Sequence, residues 1–468
     1  MATARTPSPR RPAINDPGLL TAPETCLLTD QYELAMAASY LRQGMNEPAV
    51  FELFVRHLPP HRDWLLVAGL GPALALVEAM RFGDADLGYL RRLGFAREFL
   101  DHLAGFRFSG RIDAMPEGTV AFAGEPLLRV TAPRIEAQLI ETLLLNQINF
   151  QTAIATKAAR LVLAAADSAV VDFSPRRDHG VDAAMKAARA AAIAGAAGTS
   201  NVAAAKRYGL TPVGTMAHSY VMSFRTELDA FRAFMRDTPE NAVMLVDTYD
   251  TVQGVRRAIA AARETGVPLK GVRLDSGDRL ALSRAARTLL DRAGMGDAAI
   301  VVSGDLEERQ IAELVAAGAP VDVWGVGTDL GTSRDSPTVG GVYKLVADRR
   351  DGAWRPVAKR SPDKATLPGP KQVFRHIAGG VMREDVLAVE GERLLGRPLL
   401  EPVMRDGRAE LTDSLDALRT RSAGELRALP TSTPYPVLLS DRLVRLTADV
   451  QGMAAADLRR PLEQHGRT

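Results

Sequence analysis

Four short apolar segments decide the fold: NAVMLVD (241–247), LKGVRLD (269–275), AAIVVS (298–303) and VDVWGVG (321–327). Each segment is rich in β-branched residues and predicts a buried strand, and helical patterns follow the first three. The first three strands end at Asp247, Asp275 and Ser303, which are 28 residues apart, and the fourth ends 24 residues later at Gly327. Strand–helix units that repeat at this interval predict a parallel sheet with right-handed crossovers.

Two further segments, AVVDFS (169–174) and TPVGT (211–215), extend the series towards the N-terminus. Six strands between 169 and 327 predict a closed or nearly closed (β/α) barrel, and an open doubly wound sheet is the alternative. Outside this region the pattern changes to short strands separated by Gly and Pro, both at 106–130 and beyond 340. The similar character of these two flanks predicts that they pack together into a discontinuous domain.

The changes in pattern divide the chain into four predicted parts. Residues 1–18 are rich in Arg, Pro and Ser and predict a disordered leader. A mixed α/β domain is expected over 19–140, with a first helix that begins near Thr29 or Asp30 and ends at Gly44. The barrel domain spans 141–345. Residues 346–468 are expected to pack back on the N-terminal domain and to end in a helical tail, with DLRRPLEQHGRT (457–468) as a solvated helix and its ending.

The composition excludes several classes of protein. The sequence has 58 Lys and Arg residues against 56 Asp and Glu, a net charge of +2, which argues against nucleic acid as the main partner. Cys26 is the only cysteine, so an internal disulfide and a Cys-rich zinc site are excluded and a reducing cytoplasm is the predicted compartment. The sequence shows neither the apolar core of a signal peptide nor an apolar run of the ~20 residues that cross a membrane.

Polar residues follow the predicted strands, at the edge where ligands bind in parallel α/β proteins. Arg176 and Arg177 in DFSPRRDHG (172–180) can bind phosphate or carboxylate, although an adjacent arginine pair is also common on a solvated surface. The glycine-rich GVGTDLGTS (325–333) can surround a phosphate with backbone N–H groups, or it can simply turn the chain. Five such clusters on one edge favour a binding site.

Three residues of these clusters have side chains suited to chemistry. Asp275 in RLDSGD (273–278) can accept hydrogen bonds from sugar hydroxyls or can cap the following helix, and the cap alone does not explain Arg273. His218 in GTMAHS (214–219) is expected just beyond a strand end, where it can act as a base or nucleophile, although a lone histidine is usually structural.

Together these segments resemble nicotinate phosphoribosyltransferase, of the type II phosphoribosyltransferase group. The resemblance covers about 27–412 and runs in order through LLTDQYELAMA (27–37), VFELFVRHLP (50–59), DFSPRRDHG (172–180), GTSN (198–201), GTMAHSYVMSF (214–224), LVDTYDT (245–251), GVRLDSGD (271–278), WGVGTDLGTS (324–333), GGVYKLV (340–346) and PGPKQVFR (368–375). It implies an α/β fold with a central irregular (β/α) barrel and a mixed α/β domain built from N- and C-terminal segments. It also implies a homodimer in which TDQYE reaches the neighbouring subunit's active site.

The resemblance implies transfer of a 5-phosphoribosyl group from its 1-pyrophosphate to nicotinate, with ATP hydrolysis and Mg²⁺, to give nicotinate mononucleotide and pyrophosphate. His218 matches the histidine that becomes phosphorylated, and Asp275 is expected to hold ribose hydroxyls. The positions expected to bind substrates are Tyr32, Thr215 and Arg273 for nicotinate, Gly325, Gly327 and Thr328 for the sugar's phosphate, Arg176 and Arg177 for anionic groups, and Ser303 in the site. No metal site of the protein itself is predicted.

The resemblance leaves two alternatives open. Related nicotinamide enzymes recognise the amide with an acid, where this chain has Ser200 and Asn201 in GTSN, which favours a carboxylate substrate. Quinolinate enzymes are usually much shorter. The second alternative is a non-catalytic protein that binds a pyridine or ribose phosphate. The chain also departs from the family at Ser174 and Pro175, beside the paired arginines, and His179 is interpreted as structural.

Overall fold

A computed structural model describes residues 20–361, 364–430, 434–452 and 457–465, so the predicted leader at 1–18 lies outside the described residues. The strands are β1 (Pro48–Val55), β2 (Leu65–Leu66), β3 (Arg111–Ala114), β4 (Val120–Ala121), β5 (Pro126–Pro133), β6 (Ala169–Asp172), β7 (Gly198–Thr199), β8 (Val243–Leu245), β9 (Gly271–Leu274), β10 (Ala299–Ser303), β11 (Val323–Val326), β12 (Gly341–Arg350), β13 (Ala353–Pro356), β14 (Lys371–Ala378), β15 (Val381–Val389), β16 (Arg397–Pro398), β17 (Glu401–Arg405), β18 (Arg408–Ala409) and β19 (Val437–Leu439).

Helices join the successive strands from β5 to β12 and also occur in both flanks. They are α1 (Gln31–Arg42), α2 (Leu70–Ala79), α3 (Asp84–Arg92), α4 (Arg97–Ala104), α5 (Arg134–Leu139), α6 (Glu141–Ala165), α7 (Val181–Ile193), α8 (Val202–Tyr208), α9 (His218–Met222), α10 (Glu227–Asp237), α11 (Thr251–Thr265), α12 (Arg279–Arg292), α13 (Glu308–Ala316), α14 (Thr328–Gly331), α15 (Leu415–Arg427) and α16 (Asp441–Gln451). The predicted first helix is confirmed as α1, with Asp30 at its N-cap and Gly44 in the left-handed region at φ 66° just beyond its end.

Six parallel strands form the central sheet, in the order β7-β6-β11-β10-β9-β8. The last strand of the series, β11, pairs with the first, β6, so the sequence order runs around a ring as it does in a barrel. The ring is open between β7 and β8, which are its two edges. The structure therefore confirms the parallel α/β region and favours the nearly closed barrel over a doubly wound sheet.

The predicted strand TPVGT (211–215) is wrong. This segment makes only an isolated parallel bridge between Pro212 and Thr199, and the sixth strand of the sheet is the two-residue β7 instead. Pro212 has no N–H to donate to a ladder and Gly214 weakens a strand, so the segment cannot continue the sheet towards β8. The opening of the barrel lies at this point.

A seven-stranded sheet combines strands from both flanks, in the order β13-β12-β1-β5-β3-β17-β18. Strand β1 pairs antiparallel with β5 and with β12, and β3 pairs with β17 from beyond 400. A second, mixed sheet, β16-β14-β15-β19, comes from the C-terminal region alone, with β15 and β19 parallel and the other pairs antiparallel. The exact residues at which the predicted domains divide stay a prediction.

The C-terminal residues differ from the predicted solvated helix. Of the described residues 457–465, Asp457–Arg459 form a turn of 3₁₀ helix and 460–465 continue without regular structure. Gln464 is buried, because its carbonyl accepts a hydrogen bond from Leu58 N and its side-chain oxygen accepts one from Ala123 N. These contacts hold Gln464 against the N-terminal part. Across the described ranges, the helices are too short or too polar to cross a membrane.

Candidate active site

A cavity of about 400 Å³ lies at the carboxyl ends of the parallel strands. A smaller cavity of about 170 Å³ adjoins it and shares Phe173, Arg176 and Arg273 with it. The larger cavity brings together most of the predicted site residues and is lined by Phe173, Arg176, Arg177, Arg273, Asp275, Ser276, Arg279, Ser303, Gly304, Asp305, Gly325, Gly327 and Thr328. The smaller one is lined by Phe173, Pro175, Arg176, Ser200, Gly214, Thr215 and Arg273.

Arg273 stands between the two cavities with 15% of its side chain exposed. Its Nε donates a hydrogen bond of 2.8 Å to Ser303 Oγ, and its Nη2 donates one of 2.7 Å to Asp275 Oδ1. The guanidinium lies 5.3 Å from the centre of the Phe173 ring. Nη1 makes only long contacts of 3.5 Å, to Thr215 Oγ1 and Met216 O, so this nitrogen retains capacity to bind an anion.

Asp275 is fixed from two sides. Its carboxylate accepts hydrogen bonds from Arg273 and from the hydroxyl of Ser303, and its N–H donates to Asp247 Oδ2 at 3.0 Å. Burial raises the pKa of Asp275, but the Ser303 hydrogen bond and the positive charge of Arg273 outweigh burial, so the net pKa lies below its ordinary value. Asp275 is therefore an oriented carboxylate in the neutral pH range.

His218 is the first residue of α9 rather than a residue at a strand end. Its Nδ1 lies 3.1 Å from Thr248 Oγ1, and its Nε2 lies 4.0 Å from Asp275 Oδ2. The imidazole is part-exposed and faces the same carboxylate that holds Arg273. The sequence prediction that His218 and Asp275 belong to one site agrees with this distance, although the predicted local structure was wrong.

The segment that carries Arg176 and Arg177 is anchored by buried acids. Asp172 accepts hydrogen bonds from Ser174 N at 2.9 Å and from Thr199 Oγ1 at 2.7 Å. Ser174 is fully buried, and its hydroxyl donates to Asp178 at 3.1 Å. Both arginines are exposed and line the larger cavity, so the Ser-Pro pair does not turn them away from it.

Two glycines allow strand-end segments to come close together. A Cβ on Gly325 would lie 2.5 Å from the Phe173 ring, and a Cβ on Gly304 would lie 2.4 Å from Asp275 O. Gly304 also has φ 83°, which side chains rarely adopt. Gly327 follows at the N-cap of α14, and Thr328 is the first residue of that helix.

His218 and Tyr32 are the predicted site residues that line neither cavity. His218 nevertheless lies 4.0 Å from Asp275, whereas Tyr32 belongs to the N-terminal part. It lies on α1 with a relative exposure of 48%. Partial burial and the nearby charges of Glu141 and Glu33 raise the pKa of its phenol, so it is neutral. A role for Tyr32 at this site would need a second subunit.

Five residues that the sequence did not single out also line the larger cavity: Phe173, Ser276, Arg279, Gly304 and Asp305. Each lies within a few residues of a strand end, in DFSPRR, DSGDR and VSGD, and this position was the available signal. Arg279 donates to Gly304 O and so joins the segment after β9 to the segment after β10.

The described residues contain no group of three or more His, Cys, Asp or Glu side chains that could hold a metal ion. Asp247 nevertheless offers a carboxylate oxygen, because its buried Oδ1 has no hydrogen-bond partner while Oδ2 accepts from Asp275 N and Ser276 Oγ. One or two carboxylates are what Mg²⁺ uses when phosphate oxygens and water complete its coordination. The donor set thus fits a magnesium ion that enters with a phosphorylated substrate.

Comparisons with known proteins agree with the resemblance. The model of the nicotinate phosphoribosyltransferase N-terminal domain matches residues 27–149, and that of the nicotinate phosphoribosyltransferase family matches residues 168–365. Nicotinate phosphoribosyltransferase pncB2 of Mycobacterium tuberculosis H37Rv is 48% identical over 431 residues, which cover 89% of this chain and 92% of the relative. The nicotinate phosphoribosyltransferase of Bacillus subtilis is 47% identical over 358 residues, or 75% and 73% of the two chains.

The fold is also found among solved structures. Human nicotinic acid phosphoribosyltransferase has a TM-score of 0.78 and 29% identity, over 91% of this chain and 100% of that chain. On its family models and its relatives, this chain belongs to the nicotinate phosphoribosyltransferase family.

Proposed function

We propose that this protein is a nicotinate phosphoribosyltransferase, which joins nicotinate to 5-phosphoribosyl 1-pyrophosphate in NAD salvage. The ring nitrogen of nicotinate forms a bond to C1 of the ribose, the C1–O bond breaks, and pyrophosphate leaves with the electron pair. Family membership supports this proposal, and one observation carries it to the residues: Arg273 joins two cavities, one of a size for a small ring and one for a phosphorylated sugar.

The smaller cavity suits nicotinate. Phe173 supplies an aromatic face, and Arg273 supplies a guanidinium nitrogen, Nη1, that is not used in a short hydrogen bond within the described residues. Thr215 adds a hydroxyl beside it. Tyr32 of a neighbouring subunit would complete the ring site if the protein is a homodimer with shared active sites, as we also propose.

The larger cavity suits the phosphorylated sugar. Gly325, Gly327 and Thr328 would surround the 5-phosphate, and Arg176 and Arg177 would face the anionic pyrophosphate. Magnesium bound with the pyrophosphate would neutralise the charge of this leaving group, and Asp247 would offer it the carboxylate oxygen that has no hydrogen-bond partner.

Asp275 has the geometry to assist the ribose. Departure of pyrophosphate leaves positive charge on C1 and the ring oxygen, as in glycoside cleavage. A carboxylate that stays ionised can accept hydrogen bonds from ribose hydroxyls and stabilise that charge. Asp275 meets this requirement, since Arg273 and Ser303 hold it in place and lower its pKa.

We assign the coupling to ATP to His218. Transfer of the γ-phosphoryl group to an imidazole nitrogen would release ADP and place a dianion on the ring whose Nε2 lies 4.0 Å from Asp275 Oδ2. Water would later hydrolyse the phosphohistidine. A cytoplasmic location and division of the chain near residues 140 and 345 complete the proposal, the latter supported by the pairing of both flanks in one sheet.

The test is to follow mononucleotide formation with 5-phosphoribosyl 1-pyrophosphate, Mg²⁺ and either nicotinate or nicotinamide, with and without ATP. We expect nicotinate-dependent product that ATP increases in the wild type and does not increase in His218→Ala. Product with nicotinamide alone would assign the sister activity and contradict the role of Arg273. Absence of product with both rings would favour the non-catalytic binding protein.

A further inference from the structure

Lys157 is a buried lysine outside both cavities. It lies in the middle of α6, where 1% of its side chain is exposed. Its ammonium group contacts three carboxylates: Asp329 at 2.8 Å, Asp335 at 3.0 Å, and Glu308. Burial lowers the pKa of Lys157, but hydrogen bonds and charges from Asp329 and Glu308 outweigh burial, so the amine stays protonated.

The three carboxylates belong to the segments that form one wall of the larger cavity. Asp329 immediately follows Thr328, which lines that cavity. Glu308 is the first residue of α13 and lies three residues after Asp305, which lines the cavity beside Gly304. Lys157 therefore links the segment after β10 to the segment after β11 through ion pairs with both, on the side of these segments away from the cavity.

The ionic cluster around Lys157 extends to two arginines. Arg62, itself buried, donates to Asp335 Oδ1 at 2.9 Å and to Ser333 Oγ at 3.3 Å. Arg160 Nε lies 2.9 Å from Glu308 Oε1. Neither arginine contacts Asp329, so among the described ion pairs Lys157 is the link that reaches the residue next to Thr328.

We propose that Lys157 is a positioning residue for the 5-phosphate of 5-phosphoribosyl 1-pyrophosphate. Its ammonium group sets the position of Thr328 through Asp329, and of Gly304 and Asp305 through Glu308, without contact with the substrate. Without it Asp329 has no cation among the described ion pairs, while Asp335 and Glu308 keep Arg62 and Arg160. Repulsion between Asp329 and the other two carboxylates then moves the two segments apart. The proposal rests on the proposed function, because it assigns Thr328 to that phosphate.

The test compares two buried lysines by the same substitution. Lys157→Met keeps an unbranched side chain one atom shorter and removes its charge. Lys371→Met is the matched control, because Lys371 is equally buried, pairs with Glu52 at 2.7 Å and lies in the antiparallel region. Asp329→Asn is a second, milder variant that weakens the same link and keeps the lysine. Circular dichroism and thermal melting establish that each variant is folded.

In Lys157→Met, we expect the KM for 5-phosphoribosyl 1-pyrophosphate to rise about tenfold or more, with the KM for nicotinate changed by less than about twofold. Asp329→Asn is expected to change the same constant in the same direction, and Lys371→Met to leave it unchanged. Lys157→Arg restores the charge and is expected to recover part of the affinity. A folded Lys157→Met or Asp329→Asn with unchanged KM, or an equal rise in Lys371→Met, would overturn the proposal.

Equilibrium dialysis of 5-phosphoribosyl 1-pyrophosphate with Mg²⁺ separates this proposal from the proposed function. A wild-type protein that binds the sugar without transferring it to either ring contradicts the proposed function, while the ratio of Kd between wild type and variants still tests Lys157. A wild type that does not bind the sugar overturns both proposals. If Lys157→Met does not fold, Asp329→Asn decides.

Discussion

Arg273 in the parallel sheet and Arg375 on β14 make similar contacts, but they differ in whether a guanidinium nitrogen is left to bind a ligand. Both stand over an aromatic ring, at 5.3 Å from Phe173 and at 5.5 Å from Phe122, and both donate to an aspartate. Arg375 is fully buried, and its remaining nitrogen, Nη1, donates to Glu425 at 2.7 Å. The corresponding nitrogen of Arg273 has only contacts of 3.5 Å and opens on two cavities. The difference separates an arginine that stabilises the fold from one that can bind a ligand.

The surroundings of Arg375 also indicate a structural role. Arg375 meets Asp385 through Nε at 3.0 Å and Nη2 at 2.6 Å, and the Tyr435 hydroxyl donates to the same carboxylate at 2.9 Å. The charges of Asp385, Glu125 and Glu425 raise the pKa of the guanidinium despite burial, which by itself lowers that pKa. An arginine whose donors are all satisfied by protein has little to offer a substrate.

The largest expected effect is on stability, from Arg375→Met. Removal of one partner leaves buried carboxylates without a cation, which costs about 3–5 kcal/mol of unfolding free energy. Chemical denaturation followed by circular dichroism measures this loss. In the fraction that remains folded, we expect the KM values for both substrates to match the wild type. A loss below about 1 kcal/mol would mean that the cluster is not the structural element described here.

The same substitution at Arg273 is expected to have the opposite result, a large loss of activity and a small loss of stability. Because Arg273→Met removes a charged donor for the nicotinate carboxylate, kcat/KM for nicotinate should fall about 100-fold, as loss of a charge-assisted hydrogen bond predicts. The free energy of unfolding should fall by about 1 kcal/mol, since the Arg273–Asp275 pair is partly exposed. Initial-rate kinetics measure the loss of kcat/KM, and chemical denaturation measures the loss of unfolding free energy. Activity near the wild-type value would remove Arg273 from the site.

The smallest expected effect concerns Asp178, a site carboxyl without a cation beside it in the described contacts. Burial and the charge of Asp172 raise its pKa from 3.8 to about 6, against the lowering effect of the Ser174 hydrogen bond. Because the folded-state pKa is the higher one, ionisation costs stability, and that cost develops as pH rises from about 4 through about 6. The free energy of unfolding of Asp178→Asn, relative to that of the wild type, should therefore rise by on the order of 1 kcal/mol between pH 4 and pH 7.

Denaturant unfolding of Asp178→Asn and the wild type at several pH values measures that gain as a difference, which cancels the titration of other groups. A difference that stays constant from pH 4 to pH 7 would contradict the raised pKa. A decrease with pH would mean that an arginine of the DFSPRRDHG segment pairs with Asp178 in solution.

The sequence predicted the strand ends of the parallel sheet well. Asp275 and Ser303, 28 residues apart, lie close enough for a hydrogen bond, because parallel strands bring their carboxyl ends to one edge. The regular spacing carried this information. The error at TPVGT arose because an apolar run with Pro and Gly was interpreted as a strand, although proline cannot donate to a ladder.

Contacts between distant residues could not be predicted in the same way. Lys157 occurs in the helical sequence QTAIATKAAR (151–160), where a single lysine indicates a solvent-facing position. Its partners come from 308, 329 and 335, on separate segments, and no local pattern marks the pairing. Similarly, the sequence around Arg375 does not show that its guanidinium is paired, because its partners Asp385 and Glu425 come from other segments.

The most direct test of the two assigned cavities is a crystal structure of the protein with nicotinate mononucleotide. We predict that the product lies across the two cavities, with its carboxylate against Arg273 Nη1 and its phosphate beside Gly327 and Thr328. A mononucleotide bound at another place, or bound with the phosphate at Arg273 and the ring at Thr328, would contradict the assignment of the two cavities.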